Sequence, residues 1–443
     1  MKSWRTFHRA HHIASVTSPT GLIDCSVGSI LFLRAVFFVL LLVHGGVDLG
    51  YAKAYLDVTS PGASRLPIAI QTFTGSKEVS NIVAEDLTFT GLFRPIEDAA
   101  QPERPDEPFN PANWRGLGIE LVVKGRVQAP FTVVVSAYDV SEGKEVLRKE
   151  YAGSKDLLRP VSHSIANDIY KLLTGQQGVF RSRIAYVNDK DARKSFWIMD
   201  WDGYRQHDTG ITGGILLTPR WSSDAGTILY SAERRRDWGI FLYDLGSGKE
   251  RNLVMLRGLN MAGNFFPGNR EFVFTSSKEG KSEIYVGDAA TMTGRKIISS
   301  PWIDVSPSIS NDGSQIAFVS DRSGTPQIYV SDRNGNGVRR ITFEGTYNTA
   351  PAWSPKGDRI AFVSRMGGRH QIVVIKPDGS GLAVLTGKGN NEEPTFSPDG
   401  RYIAFTSDRD GPKGIYLMRI DGEGQKRISP RGVKATSPSW SPL

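Results

Sequence analysis

Carboxylates and arginines are the reactive side chains this chain supplies in quantity; histidines and cysteines are scarce. Ser320-Asp321-Arg322 and Ser407-Asp408-Arg409 each set a carboxylate beside a guanidinium. A pair of such carboxylates would suit general acid–base chemistry. They occupy matching places in a repeat, however, and so read as turn and ion-pair residues. Beyond residue 54 the histidines are His163, His207 and His370, in unrelated parts of the chain, which disfavours a histidine metal cluster. Cys25 is the only cysteine. It lies in the leader, so the mature chain is expected to lack a disulfide, a cysteine nucleophile and a thiolate metal site. Gly-x-Ser-x-Gly, a Walker loop, a dinucleotide fingerprint and His-Glu-x-x-His are all missing. No cofactor is expected.

The elements that would position any site are written in the spacing. Trp221, Phe265, Ile309, Trp353, Phe396 and Trp440 recur at intervals of 44, 44, 44, 43 and 44. Ile228, Phe272, Ile316, Ile360 and Ile403 follow seven residues after the first five anchors and open short β-runs. A period in the low forties built from strands and turns alone predicts one propeller blade per repeat. Five whole repeats leave two fragments, 183–200 and 440–443. Paired, they would make a sixth blade knitted from both ends, closing the ring and removing free sheet edges. The expected fold is therefore an all-β six-bladed β-propeller over residues 176–443, preceded by a small α+β domain over residues 66–175.

Residues 1–54 read as a secretory signal peptide. An unbroken apolar run, Ala35 to Val43, precedes Ala52-Lys53-Ala54, a small-x-small pattern that predicts cleavage after Ala54. The run is too short for a span, which needs about 20 residues. The leader carries five basic residues against Asp24 and Asp48, leaving +5 of the formal +8 for the rest of the chain. That mild excess, without an arginine-rich helix, argues against nucleic acid as a partner. Residues 55–65 read as an extended tail. In the α+β domain, strands are expected at 66–70, 119–127, 132–139 and 146–151, residues 91–96 turn into a further strand, and residues 101–111, with Pro102, Pro105, Pro108 and Pro111, are expected to form a loop. Helices are expected at 78–90 and 156–173, with Ser76 or Ser80 capping the first and Gly175 ending the second.

Repeats disagree just before each anchor, at 215–218, 259–262, 302–305, 347–350, 391–393 and 433–436. By register these segments fall on one face of the ring, around the channel mouth. Their mixture of apolar, aromatic and charged groups suits protein binding. The competing class is a lyase or lactonase with a metal site in the channel, for which Asp304, Glu392 and Glu393 are the candidate ligands.

Phe180-Arg181-Ser182-Arg183-Ile184-Ala185-Tyr186-Val187 at the domain junction, the repeats Trp353 to Phe362 and Phe396 to Phe405, and the closing Pro438-Ser439-Trp440-Ser441-Pro442-Leu443 together resemble the TolB family, a periplasmic component of the Tol-Pal system. The resemblance implies a non-catalytic scaffold, peripheral to membranes, serving outer-membrane integrity and cell division. It implies binding of the peptidoglycan-associated lipoprotein Pal at the propeller face, through Leu259, Ala262, Val305, Asn348, Thr349, Glu392 and Glu393. It implies binding of TolA through the tail residues Tyr55, Leu56, Asp57, Val58 and Thr59, with further outer-membrane proteins as partners.

Overall fold

The computed structural model describes residues 65–190, 193–234 and 236–443. The expected signal peptide, the expected cleavage point at Ala54 and the tail residues Tyr55 to Thr59 lie outside the described residues.

The amino-terminal domain is a five-stranded sheet covered by two helices. In spatial order its strands are Phe93–Pro95, Leu66–Ile70, Leu121–Gln128, Thr132–Asp139 and Lys144–Ala152. The first two pairings are parallel and the rest antiparallel. Helix α1 spans Lys77–Phe89 and buries Val79, Ile82, Val83 and Leu87 at helical spacing. Ser76 occupies its N-cap without a side-chain bond; the Ser80 hydroxyl instead accepts from Phe73 N, 3.2 Å away. A five-residue helix, α2 at Pro111–Arg115, begins on the last proline of the stretch 101–111 expected to be loop, with the Asn110 side chain accepting from Ala112 N. Helix α3, Leu158–Thr174, buries Val161, Ile165, Ile169 and Leu173, and ends at Gly175 in the left-handed region (φ 71°).

Six four-stranded antiparallel sheets form the propeller. Each blade's innermost strand ends on a repeat anchor: Leu216–Trp221, Asn260–Phe265, Asp304–Ile309, Asn348–Trp353, Asn391–Phe396 and Lys434–Trp440. The last of these pairs with Arg183–Lys190, so strands from distant parts of the chain share the closing blade. Apolar faces of neighbouring blades are buried on one another: Ile360, Phe362 and Val373 of one blade meet Ala317, Val319 and Ile328 of the one before.

Within five of the six inner strands a residue adopts positive φ immediately before a proline: Thr218, Ser306, Ala350, Glu393 and Ser437, at 51–55°. Proline bars its predecessor from the right-handed helical region, and the bulge there swings the chain around the channel. The second blade departs from this. Gly263 stands where the others carry proline, and the pairing slips after Ala262, one residue later than in its neighbours. A Cβ on Gly263 would lie 2.7 Å from Val273 Cγ1 and 2.9 Å from Pro307 O. Gly263→Ala is therefore expected to lower stability by about 1–3 kcal/mol, read as a reduced urea midpoint with unchanged m-value.

The two domains share one core. Phe89 of α1 lies 5.4 Å from both Trp201 and Tyr402 of the propeller, with Lys426 Nζ 4.1 Å above its ring. Phe180 of the connecting segment packs on Trp201 and on Tyr170 of α3. Trp201 and Lys426 flank turns joining third to fourth strands, at the end of the ring where the inner strands finish. The amino-terminal domain thus sits on that face, here called proximal. The loops entering the inner strands lie on the opposite, distal face.

Candidate functional site: distal rim and central channel

On the distal face, the loops that enter the second, third and fourth blades present Met255, Trp302, Ile303, Phe343 and Tyr347 to solvent. Their exposures run from 38% (Tyr347) to 71% (Phe343). Apolar side chains of this size clustered along successive blades are the kind of patch that monomeric proteins seldom leave open. Leu259 and Val305 lie half-buried between this rim and the channel. Trp302, Ile303 and Tyr347 fall within the segments where the repeats disagree, whereas Met255 and Phe343 fall outside them, just after the preceding outer strands.

The expected contact residues separate by depth. Leu259, Val305, Thr349 and Glu392 are partly exposed near the mouth. Asn348 is a correction: it is fully buried, and its Nδ2 donates to Gln327 Oε1 and to Glu344 O, both 2.8 Å away. Asn260, Asp304 and Asn391 are fully buried at the same register position. The position belongs to blade architecture because an unpaired chain end entering the inner strand needs these bonds. Ala262 and Glu393 sit deeper still, in the wall of a cavity of about 210 Å³ inside the channel. Ala262 is buried, with its N–H on Ser231 Oγ at 2.7 Å.

The candidate metal ligands do not converge. Asp304 accepts from Arg322 at 2.8 Å and from Ser300 at 2.6 Å. Glu392 is held by His370 at 2.8 Å and by Lys413. Glu393 accepts from Thr406 Oγ1 and from Ser437 N and Oγ. Among the described residues one histidine–carboxylate group is close enough to hold an ion, Asp86, His163 and Asp202, and it lies between the domains rather than in the channel. His163 Nδ1 is 2.7 Å from Asp86 Oδ2, and Nε2 is 3.3 Å from Asp202 Oδ2. Arg159 also pairs with Asp202. Burial alone would lower the His163 pKa, but the Asp202 and Asp86 hydrogen bonds and charges outweigh it and hold it up at about 9. Burial pushes the Asp86 carboxyl up to about 6 against the pull of His163. Asp202, despite its burial, is held well below the usual carboxylate range by His163 and Arg159. With Arg159 and Lys426 beside it, the group is an ionic latch between the domains. Its members are far apart in sequence, so no spacing announced it.

The Ser-Asp-Arg stretches prove to be architectural. Arg322 and Arg409 each donate through Nε to the serine two residues earlier, at 2.9 Å. No helix among the described residues is long and apolar enough to cross a membrane.

Comparisons with known proteins cover both domains. Residues 54–146 match the TolB amino-terminal domain and residues 170–443 the TolB beta propeller domain. A Tol-Pal system protein TolB from Polaromonas sp. is 32% identical over 51% of this chain and 54% of its own length. The corresponding protein of Desulfosudis oleivorans is 33% identical over 56% of this chain and 60% of its own. The chain thus spans little more than half the length of these curated relatives in the matched stretches. The crystal structure of TolB from Acinetobacter baumannii superposes with a TM-score of 0.77 at 27% identity, covering 86% of this chain and 98% of that one. On these matches to both of its domains, the chain belongs to the TolB family.

Proposed function

We propose that the protein is a non-catalytic periplasmic scaffold of the Tol-Pal system that supports outer-membrane integrity and cell division. It binds the peptidoglycan-associated lipoprotein Pal on the distal propeller face and TolA through residues 55–59. The observation that carries this reading is the rim of Met255, Trp302, Ile303, Phe343 and Tyr347, exposed together on three successive blades. An apolar centre flanked by the half-buried Leu259, Val305 and Thr349 and the charged Glu392 matches the anatomy of a protein interface. Aromatic anchors of this type carry most of the binding energy where they occur.

The test is calorimetric titration of the purified chain with soluble Pal. Ile303→Arg places an unpaired cation in the apolar centre and is expected to weaken binding at least about tenfold, or 1.4 kcal/mol. Ile303 is half exposed, so folding should be unaffected. Equal affinities for the native chain and the variant would refute the distal face as the Pal site. Removing residues 55–59 should abolish TolA binding while leaving Pal binding in place.

A further inference from the structure

We propose that the proximal end of the central channel is a binding site for a carboxylate carried on a small apolar body, with Arg220 as its anchoring cation. The channel opens on the proximal face as a cup of about 420 Å³, walled by the six repeat anchors Trp221, Phe265, Ile309, Trp353, Phe396 and Trp440. Beneath it lies the inner cavity of about 210 Å³. The two share Arg220, Pro351 and Pro394 in their walls, so Arg220 stands at the neck between them.

The surroundings of Arg220 suit an anion. Its Nη1 donates to the neighbouring Pro219 carbonyl at 3.0 Å. Its Nε is buried and has no hydrogen-bond partner. Among the described residues no carboxylate forms an ion pair with it. Burial disfavours its charge, and the one charge acting to hold it is Glu393. That carboxylate is already taken by Thr406 and Ser437, through three bonds of 2.7–2.8 Å. Arg220 is partly exposed to the cup, but its buried Nε lacks a partner, which is costly, and an anion delivering two acceptor oxygens relieves that cost.

Nor does blade architecture call for arginine here. The equivalent positions in the other inner strands hold Asn264, Ser308, Ala352, Thr395 and Ser439, all small and uncharged. A guanidinium fork matches a carboxylate in two parallel hydrogen bonds. The aromatic and proline walls give the ligand's remainder an apolar flank, and the volume suits a small acid or a short extended peptide rather than a folded domain. Benzoate and a peptide carboxyl terminus share this chemistry.

Calorimetric titrations of the full chain separate the cases. The probes are benzoate against benzamide, and N-acetyl-Ala-Pro-Gly against its carboxamide. The acid of at least one pair is expected to bind at least tenfold more tightly than its amide. Arg220→Gln should erase the difference, and Arg220→Lys should keep it while weakening the acid at least threefold through loss of the fork. Preference for the peptide acid would identify a chain terminus as the ligand; preference for benzoate would identify a free small acid. Acid and amide binding alike in the native protein would overturn the proposal, as would a difference surviving in Arg220→Gln or competition by chloride at equal concentration. If Arg220→Gln fails to fold, the native acid–amide comparison and the Arg220→Lys result decide the matter. Ile303→Arg should leave these titrations unchanged, so failure here is distinct from failure of the distal-face reading.

Discussion

A chain cut after Thr436 loses the cooperative unfolding transition of the propeller. The seven residues removed contain most of what locks the closing blade. Trp440 is buried, and its indole Nε1 donates to Ser182 Oγ at 2.7 Å. Ser441 and Arg183 exchange two bonds, at 2.8 and 2.9 Å. The Ser439 carbonyl accepts from Trp221 Nε1 of the first blade at 2.9 Å, so one residue links both neighbours of the seam. Deleting a buried tryptophan side chain alone costs about 3–5 kcal/mol. Removing residues 437–443 also takes away the Ser439–Ala185 and Trp440–Ile184 pairs, leaving only Lys434 to Thr436 on Val187 to Asp189, and exposes Trp221, Ile184 and Tyr402. The summed loss rivals the whole stability of a domain, about 5–15 kcal/mol. Trp440 also stacks on Tyr402, 6.4 Å away, within the core shared with α1, so the amino-terminal domain should loosen too. Circular dichroism during heating should show a broad, non-cooperative change in the truncated chain. Trp440→Ala should instead keep a cooperative transition at lower temperature. A sharp transition at the native temperature in the truncated chain would mean the ring does not depend on this seam.

The propeller was legible in the sequence because each blade repeats the same physical demand. An anchor must fill the wedge beside the channel, and a tight turn must follow it, so Trp221 through Trp440 keep their spacing while their neighbours vary. Helix α3 was legible for a similar reason: its buried stripe recurs every four residues and Gly175 ends it. Depth was harder to read. Asn348 and Thr349 are adjacent, yet one is sealed inside the blade and the other borders the mouth; alternation along a strand gives two sides but not which is packed. The bulge adds to this, since a positive-φ residue before proline turns Glu393 into the channel beside Arg220. Helix α2 was hidden because Pro111, the mark of a loop in a proline-rich stretch, is also a favoured first residue of a helix. The Asp86–His163–Asp202 latch left no trace in spacing. Only docking of the two domains brings its members together.

That latch should make stability fall with rising pH between about 6.5 and 9. His163 binds its proton more tightly in the folded protein, with a pKa of about 9 against 6.5 for the free side chain. Its stabilising effect is therefore complete below pH 6.5 and disappears as pH rises through 9. The limiting size is about 3 kcal/mol. Asp86 acts with the same sign at lower pH: its folded pKa of about 6 lies above the free value, so stability falls between about pH 4 and 6 as it ionises. Asp202, held low by His163 and Arg159, acts with the opposite sign and only below about pH 4. Between 6.5 and 9 the imidazolium is thus the titrating member. It bridges α3, α1 and the turn after Trp201, with Arg159 beside it and with Lys426, whose pKa burial lowers against the pull of Asp202 and Asp86. Urea midpoints measured at pH 6.5 and 9 should differ in the native chain and converge in His163→Gln, which retains hydrogen-bonding capacity but carries no charge. The neutral side chain leaves Asp86 without its cation, so the variant should be less stable than the native chain at pH 6.5 and close to it at pH 9. A pH dependence identical in the two proteins would place the titrating group elsewhere and leave the contact between the domains to Phe89, Trp201 and Tyr402 alone.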